Sequence, residues 1–84
     1  MEDYQKRMIN EYIELQDKII KLDTFTRSPQ FVELPDAKKM AMFWQISAMQ
    51  SYLKALGSRC ILEGISKELE KVLKSNNYVE DKVN

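Results

Sequence analysis

The chain has 84 residues, with 13 lysines and arginines balanced by 13 aspartates and glutamates, and it contains no histidine. A chain of this length forms one domain with a modest core, and zero formal net charge argues against a coat for polymeric nucleic acid or a polybasic membrane anchor. Cys60 is the only cysteine, so an intrachain disulfide is excluded, and with no histidine a zinc site of the usual kind is not expected; no motif points to another metal or to a cofactor, and none is expected.

The first element runs from Glu2 to about Phe25 without glycine or proline. Met8, Tyr12, Leu15, Ile19 and Leu22 recur at alternating spacings of four and three, which predicts a helix with one apolar seam. Ile9, Ile13 and Ile20 widen that seam on one flank. The opposite face carries Glu2/Lys6, Asp3/Arg7, Glu14/Lys18 and Asp17/Lys21, four pairs at i,i+4 with the acid first, each supporting a solvated helix by tenths of a kcal/mol. The acidic start, Glu2 and Asp3, does not suit a secretion signal, and no apolar run approaches the ~20 residues of a membrane span, so the sequence reads as cytoplasmic and without a membrane partner.

The connection "TFTRSPQFVELPD", Thr24 to Asp36, is more apolar than a short polar loop should be. Phe25, Phe31, Val32 and Leu34 are expected to cap the open end of a hairpin core. Thr26, Arg27 and Ser28 read in two ways: as a solvated turn around Pro29, or as a run of donors suited to phosphate oxygens.

A second helix is expected from the end of that loop, with Pro35 in its first turn and Asp36 against the positive end of the helix dipole. Met42, Ile46, Met49, Leu53, Leu56 and Cys60 repeat the four-three rhythm, making this helix the antiparallel partner of the first. Phe43 and Trp44 fall off the seam, and Ala41, Ala48, Tyr52, Ala55 and Arg59 form a second line at heptad spacing. Either the C-terminal segment folds back over that line or a second copy of the chain covers it, and self-association is the preferred reading. Gly64 marks the end or a bend of the helix, and "SKELEKVLKS" predicts a short amphipathic helix with Leu69, Val72 and Leu73 inward. The fold class is therefore all-α: an antiparallel helical hairpin with a short C-terminal helix over residues 1–75, assembling as a homo-oligomer, with a polar tail at 76–84.

Chemistry of the common catalytic kinds is missing. No histidine is present to activate a nucleophile, Cys60 lies on the seam as a small core residue, and the two glycines, Gly57 and Gly64, form no phosphate loop. The paired carboxylates each have a basic neighbour four residues on, which lowers rather than raises their pKa and does not suit a proton donor. The expectation is a binding protein, not an enzyme.

The strings "YQKRMINEYIELQDKIIKLDTFTRSPQF" and "QISAMQSYLKALGSRCI" carry Arg7-Met8 with Glu11, then Leu15, Lys18, Lys21-Leu22 and Phe25, then Phe31 and Leu34, and finally Gln45, Met49, Tyr52, Leu56 and Arg59. In this pattern the chain resembles the phage family of helical-hairpin proteins that includes the anti-CBASS cyclic-nucleotide sponges and the hairpin domain of a Thoeris anti-defence protein. The resemblance spans roughly Tyr4 to Ile61. It implies a homo-oligomer, typically a hexamer, that binds cyclic di- or trinucleotide second messengers between protomers and sequesters them intact in the cytoplasm of an infected bacterium.

A cyclic oligonucleotide needs apolar or aromatic faces for its bases and cations or hydroxyls for its phosphates. In an antiparallel hairpin Tyr4 and Arg7 fall near Arg59, so Tyr4 is a candidate to stack on a base with Met8 beside it, and Arg7 or Arg59 to meet phosphate. Each has an ordinary reading: Tyr4 as a staple at the helix start, Arg7 as the partner of Asp3, Arg59 as an interface ion. Lys18 and Lys21 are explained by their carboxylate pairs, yet the resemblance places a ligand-contacting lysine in this region. It also raises Thr26 and Ser28 as the lining of a second, polar pocket between protomers. Two other functions stay open: a structural or protein-binding hairpin whose second apolar line docks on a protein partner, and an oligomer that binds nucleic acid through a local basic patch.

Overall fold

A computed structural model describes residues 1–76, which form four α-helices in the order α1 (Asp3–Phe25), α2 (Pro29–Val32), α3 (Asp36–Leu62) and α4 (Ser66–Asn76). The fold is all-α, with α1 and α3 packed antiparallel as the long arms of a hairpin and α4 laid against α3. The described part of the tail adds only Asn76 to α4; the rest of the tail lies outside the described residues.

The two seams meet as their spacing requires. Met8, Ile9, Leu15 and Ile19 of α1 are buried with Leu56 and Cys60 of α3, and Tyr12, Ile13, Met49 and Leu53 pack around them. Leu56 is the centre of this core at 0 % exposure. Burial raises the Cys60 thiol above its ordinary value, which keeps it protonated and fits a packing role.

The α3 to α4 turn follows from one glycine. Gly64 has φ +73°, and the Ile65 N–H reaches back to the Cys60 carbonyl at 3.0 Å while the Gly64 N–H bonds that of Ile61 at 3.0 Å. This is the Schellman arrangement, in which a left-handed residue closes the last helical carbonyls and the residue after it packs inward. Ile65 is buried accordingly, and Leu69, Val72 and Leu73 extend the core along α4, with the inward positions the sequence predicts.

Three expectations are corrected. The loop holds a helical turn, α2, where a solvated turn around Pro29 was one reading: Pro29 takes the first helical position and Ser28 caps it. Pro35 stands at the N-cap of α3, one residue before the first turn, and its carbonyl receives the Lys38 and Lys39 N–H groups at 3.0 and 3.1 Å. Val32 is 67 % exposed and caps no core among the described residues. The cap of the hairpin end is instead an aromatic group: Phe31 is buried edge-on between Phe25, at 6.3 Å, and Phe43, at 5.5 Å between ring centroids, with the Lys39 ammonium 5.7 Å above its ring.

The C-terminal segment does not fold over the second line of α3. It closes the seam instead, so Ala41, Trp44, Ala48, Tyr52, Ala55 and Arg59 stay exposed in the single chain, Trp44 at 68 %. Among the described residues no helix is long and apolar enough to cross a membrane.

Candidate functional site

Lys18, Lys21, Leu22 and Phe25 sit at i, i+3, i+4 and i+7 of α1, so they share one helical face near its C-terminal end. The antiparallel pairing brings Gln45 and Met49, one turn apart on α3, to the same place. Together the six side chains line a shallow cleft of about 370 Å³ that is broadly open to solvent. Its lining is mostly apolar, from Leu22, Phe25 and Met49, with Lys18, Lys21 and Gln45 as the residues that carry polar groups. Lys21 Nζ lies 2.8 Å from Asp17 Oδ2, and the hydrogen bond to that carboxylate, then its charge, hold the Lys21 pKa above its ordinary value. Lys18 has no carboxylate within 4 Å among the described residues, so its expected pair with Glu14 is not formed there.

The other sequence candidates are distributed over three places. At the far end of the hairpin Tyr4 donates its hydroxyl proton to Glu63 Oε1 at 2.6 Å, and Gln5 Nε2 donates to the same oxygen at 3.0 Å. Gln5 Oε1 in turn accepts the Glu2 N–H at 2.9 Å, so one amide ties the helix start to the α3 terminus. The Tyr4 hydrogen bond, then that from Gln5, draw the Glu63 carboxyl below its ordinary pKa, against desolvation and with help from the nearby Arg59 charge; the same bond raises the Tyr4 phenol. Tyr4 and Arg59 are thus brought to one neighbourhood, as an antiparallel hairpin demands, with Glu63 between them. Arg7 is exposed, and its expected pair with Asp3 is not formed among the described residues.

Met8 belongs to the core at 4 % exposure, so it offers no free face to a stacked base in this chain. Thr26 and Ser28 have structural work. Thr26 Oγ1 donates to the Asp23 carbonyl at 2.6 Å; Ser28 Oγ donates to the Phe25 carbonyl at 2.7 Å and accepts the Phe31 N–H at 3.3 Å. Arg27 pairs with Asp23. The run of loop donors is therefore turned onto its own backbone and onto α1.

Glu63 and the α3 side of the cleft were not among the sequence candidates for the site. Glu63 was legible in principle: it precedes Gly64 at the end of α3, which an antiparallel hairpin sets beside the start of α1. Gln45 and Met49 lie more than twenty residues from Lys18 and Lys21, and no local spacing connects them.

Two long antiparallel arms with a shallow cleft between them and a short C-terminal helix define an all-α helical-hairpin protein. The sequence profile of the Sequestin family matches residues 2–61, which is 60 of the 84 and takes in α1, α2 and nearly all of α3. The chain belongs to the Sequestin family. No curated protein and no solved structure matches it.

Proposed function

We propose that this protein is a non-catalytic sponge that sequesters cyclic di- or trinucleotide immune messengers and so keeps a CBASS-type effector silent in an infected bacterial cell. One observation carries the reading: Lys18, Lys21, Leu22, Phe25, Gln45 and Met49, all members of the pattern by which the sequence resembles the phage sponges, converge on a single cleft from two helices. The apolar walls suit a base and the ammonium groups suit its phosphates. A family named for sequestration supports binding as the role. The exposed line on α3 supports assembly as a homo-oligomer, a hexamer by the resemblance, in which Tyr4, Arg7 and Arg59 of one copy approach the ligand of another.

A thermal-shift panel of cyclic dinucleotides, cyclic trinucleotides and their linear counterparts tests this. Ligand at a hundred times its dissociation constant adds about 2.7 kcal/mol of apparent stability per site. Denaturing the complex and chromatographing the supernatant should return intact cyclic nucleotide in amounts set by the protein. Linear product in excess of protein would make the chain a phosphodiesterase, and no shift with any cyclic ligand would sink the reading.

The exposure of Trp44 and Tyr52 favours a second reading, in which that face docks on a different protein. Sedimentation of the purified chain separates the two, since a homo-oligomer leaves no such face free and a folded monomer would point to a separate partner.

A further inference from the structure

Tyr4 is held by the edge of its ring. Its hydroxyl donates to Glu63 Oε1 at 2.6 Å, and Gln5 Nε2 donates to the same oxygen at 3.0 Å. Both partners are themselves fixed. The Gln5 amide is set by the capping box, in which its Oε1 accepts the Glu2 N–H at 2.9 Å. Glu63 stands on the corner between α3 and α4, where its own N–H bonds the Arg59 carbonyl at 2.9 Å and the Ile65 N–H bonds that of Cys60 at 3.0 Å. Ile65 is buried at 5 % exposure, so the core pins this corner just beyond the carboxylate. Tyr4 nevertheless stays 45 % exposed. We propose that Glu63 is a positioning residue, which holds the Tyr4 ring in one orientation as a preformed surface for a ligand base.

The inference rests on the nucleotide reading above and follows from what ordering a stacking side chain costs. A half-exposed tyrosine rotates about two side-chain bonds, and fixing it only when a ligand arrives lowers affinity. An anchor on the hydroxyl removes that freedom beforehand, while stacking uses the ring faces and needs no hydroxyl. Glu63 has a second candidate partner in Arg59, one turn earlier on the chain. That order, base first, is the less favourable one at i,i+4, and no Arg59–Glu63 ion pair lies within 4 Å among the described residues. The carboxylate is thus given to the tyrosine and the amide, and the guanidinium is left for an anion. Glu63 also lies beyond residues 2–61, so this support belongs to the α3–α4 corner and not to the stretch that the family profile matches.

A clasp that only ties the two arms together would use the same bond, so the test reads ligand affinity with and without the ring. Isothermal titration uses three probes: 3′,3′-cyclic di-adenosine monophosphate, 3′,3′-cyclic guanosine–adenosine monophosphate and cyclic tri-adenosine monophosphate. It is run on wild type, Glu63→Ala, Glu63→Gln, Tyr4→Phe, Tyr4→Ala and the double variant Tyr4→Ala/Glu63→Ala. Glu63→Ala should weaken binding about two- to tenfold, the effect of leaving one side chain to be ordered by the ligand. Tyr4→Phe makes the same cut from the other side, keeps the ring, and should lose the same factor. Glu63→Gln retains an acceptor oxygen and should bind within about twofold of wild type. In the Tyr4→Ala background Glu63→Ala should change nothing, because no ring is left to hold. Magnetic resonance of protein with isotope-labelled tyrosine supplies a ligand-free reading. The Tyr4 phenol, raised above its ordinary pKa first by the Glu63 hydrogen bond, should return toward it in Glu63→Ala, and the ring should gain mobility.

Equal losses from Glu63→Ala with and without the Tyr4 ring would reduce Glu63 to a structural clasp and overturn the proposal. Unchanged affinity in Glu63→Ala or Tyr4→Phe would overturn it as well, and in each case the sponge still stands. An unaltered Tyr4 ring in ligand-free Glu63→Ala also counts against it. If wild type binds none of the three probes, the nucleotide reading fails and the positioning role falls with it.

Discussion

α1 and α3 are close in length and share one interface, but they are written differently. α1 concentrates its apolar residues on a single face and gives the other to charge; α3 carries apolar side chains around most of its circumference. One side of α3 is the buried seam of Ile46, Leu56 and Cys60, and the other leaves Trp44, Tyr52 and a line of alanines in solvent. A helix apolar on all sides is ordinarily buried on all sides. The hairpin covers most of the apolar face of α1 but only one side of α3, so the larger exposed apolar surface lies on α3.

The contrast is broken most severely from the buried side. Leu56→Ala should lower stability by roughly 2–5 kcal/mol, since it opens a cavity in a core that cannot collapse around it. The loss should appear at every protein concentration. Trp44→Ala, on the other face, should act only through assembly, so its effect on the melting temperature disappears on dilution. Melting curves at two concentrations a hundredfold apart check both, and a concentration-independent loss in Trp44→Ala would mean that this face already packs within the chain.

The two glycines sharpen the comparison within α3 with effects of opposite sign. Gly64→Ala should destabilise by about 1 kcal/mol, because φ +73° places a Cβ against its own backbone. Gly57→Ala should stabilise by about 0.5–1 kcal/mol, since a Cβ there would meet the Tyr12 ring at an ordinary 3.5 Å and the helix would shed its glycine entropy. Denaturant midpoints of the two variants are the readout.

The smallest effect is expected at the Tyr4–Gln5–Glu63 clasp, where the arms meet at their far ends. The folded-state pKa of Glu63 is lowered, so its contribution is present above the ordinary glutamate value of 4.5 and is lost as pH falls through the lowered folded value. That of Tyr4 is raised, so its contribution is present below the ordinary 10.0 and is lost as pH rises through the raised value. Glu63→Gln should flatten the acid limb of the melting profile. An unchanged acid limb would place the dependence elsewhere.

Periodicity made both seams legible, because a 3.6-residue helix repeats its faces whatever it packs against. Leu56, Ile46 and Met8 are core residues for that reason alone. The Asp17–Lys21 pair was legible too, being four residues apart. Thr26 and Ser28 show the limit of such reading: a hydroxyl donor looks the same in a sequence whether it faces a phosphate or its own backbone, and here local geometry turned both onto carbonyls.

The sequence by itself determined the helices, their buried faces, the break at Gly64 and the surplus apolar line on α3, since each depends on spacing within a few turns. Only the tertiary structure decided that Lys18, Lys21 and Phe25 share a cleft with Gln45 and Met49, that Glu63 receives Tyr4 and Gln5, and that α4 closes the seam and leaves the second line open. These depend on the rotation and offset of one helix against another. That register is set by how side chains interdigitate across the whole interface, and no short stretch of the chain encodes it.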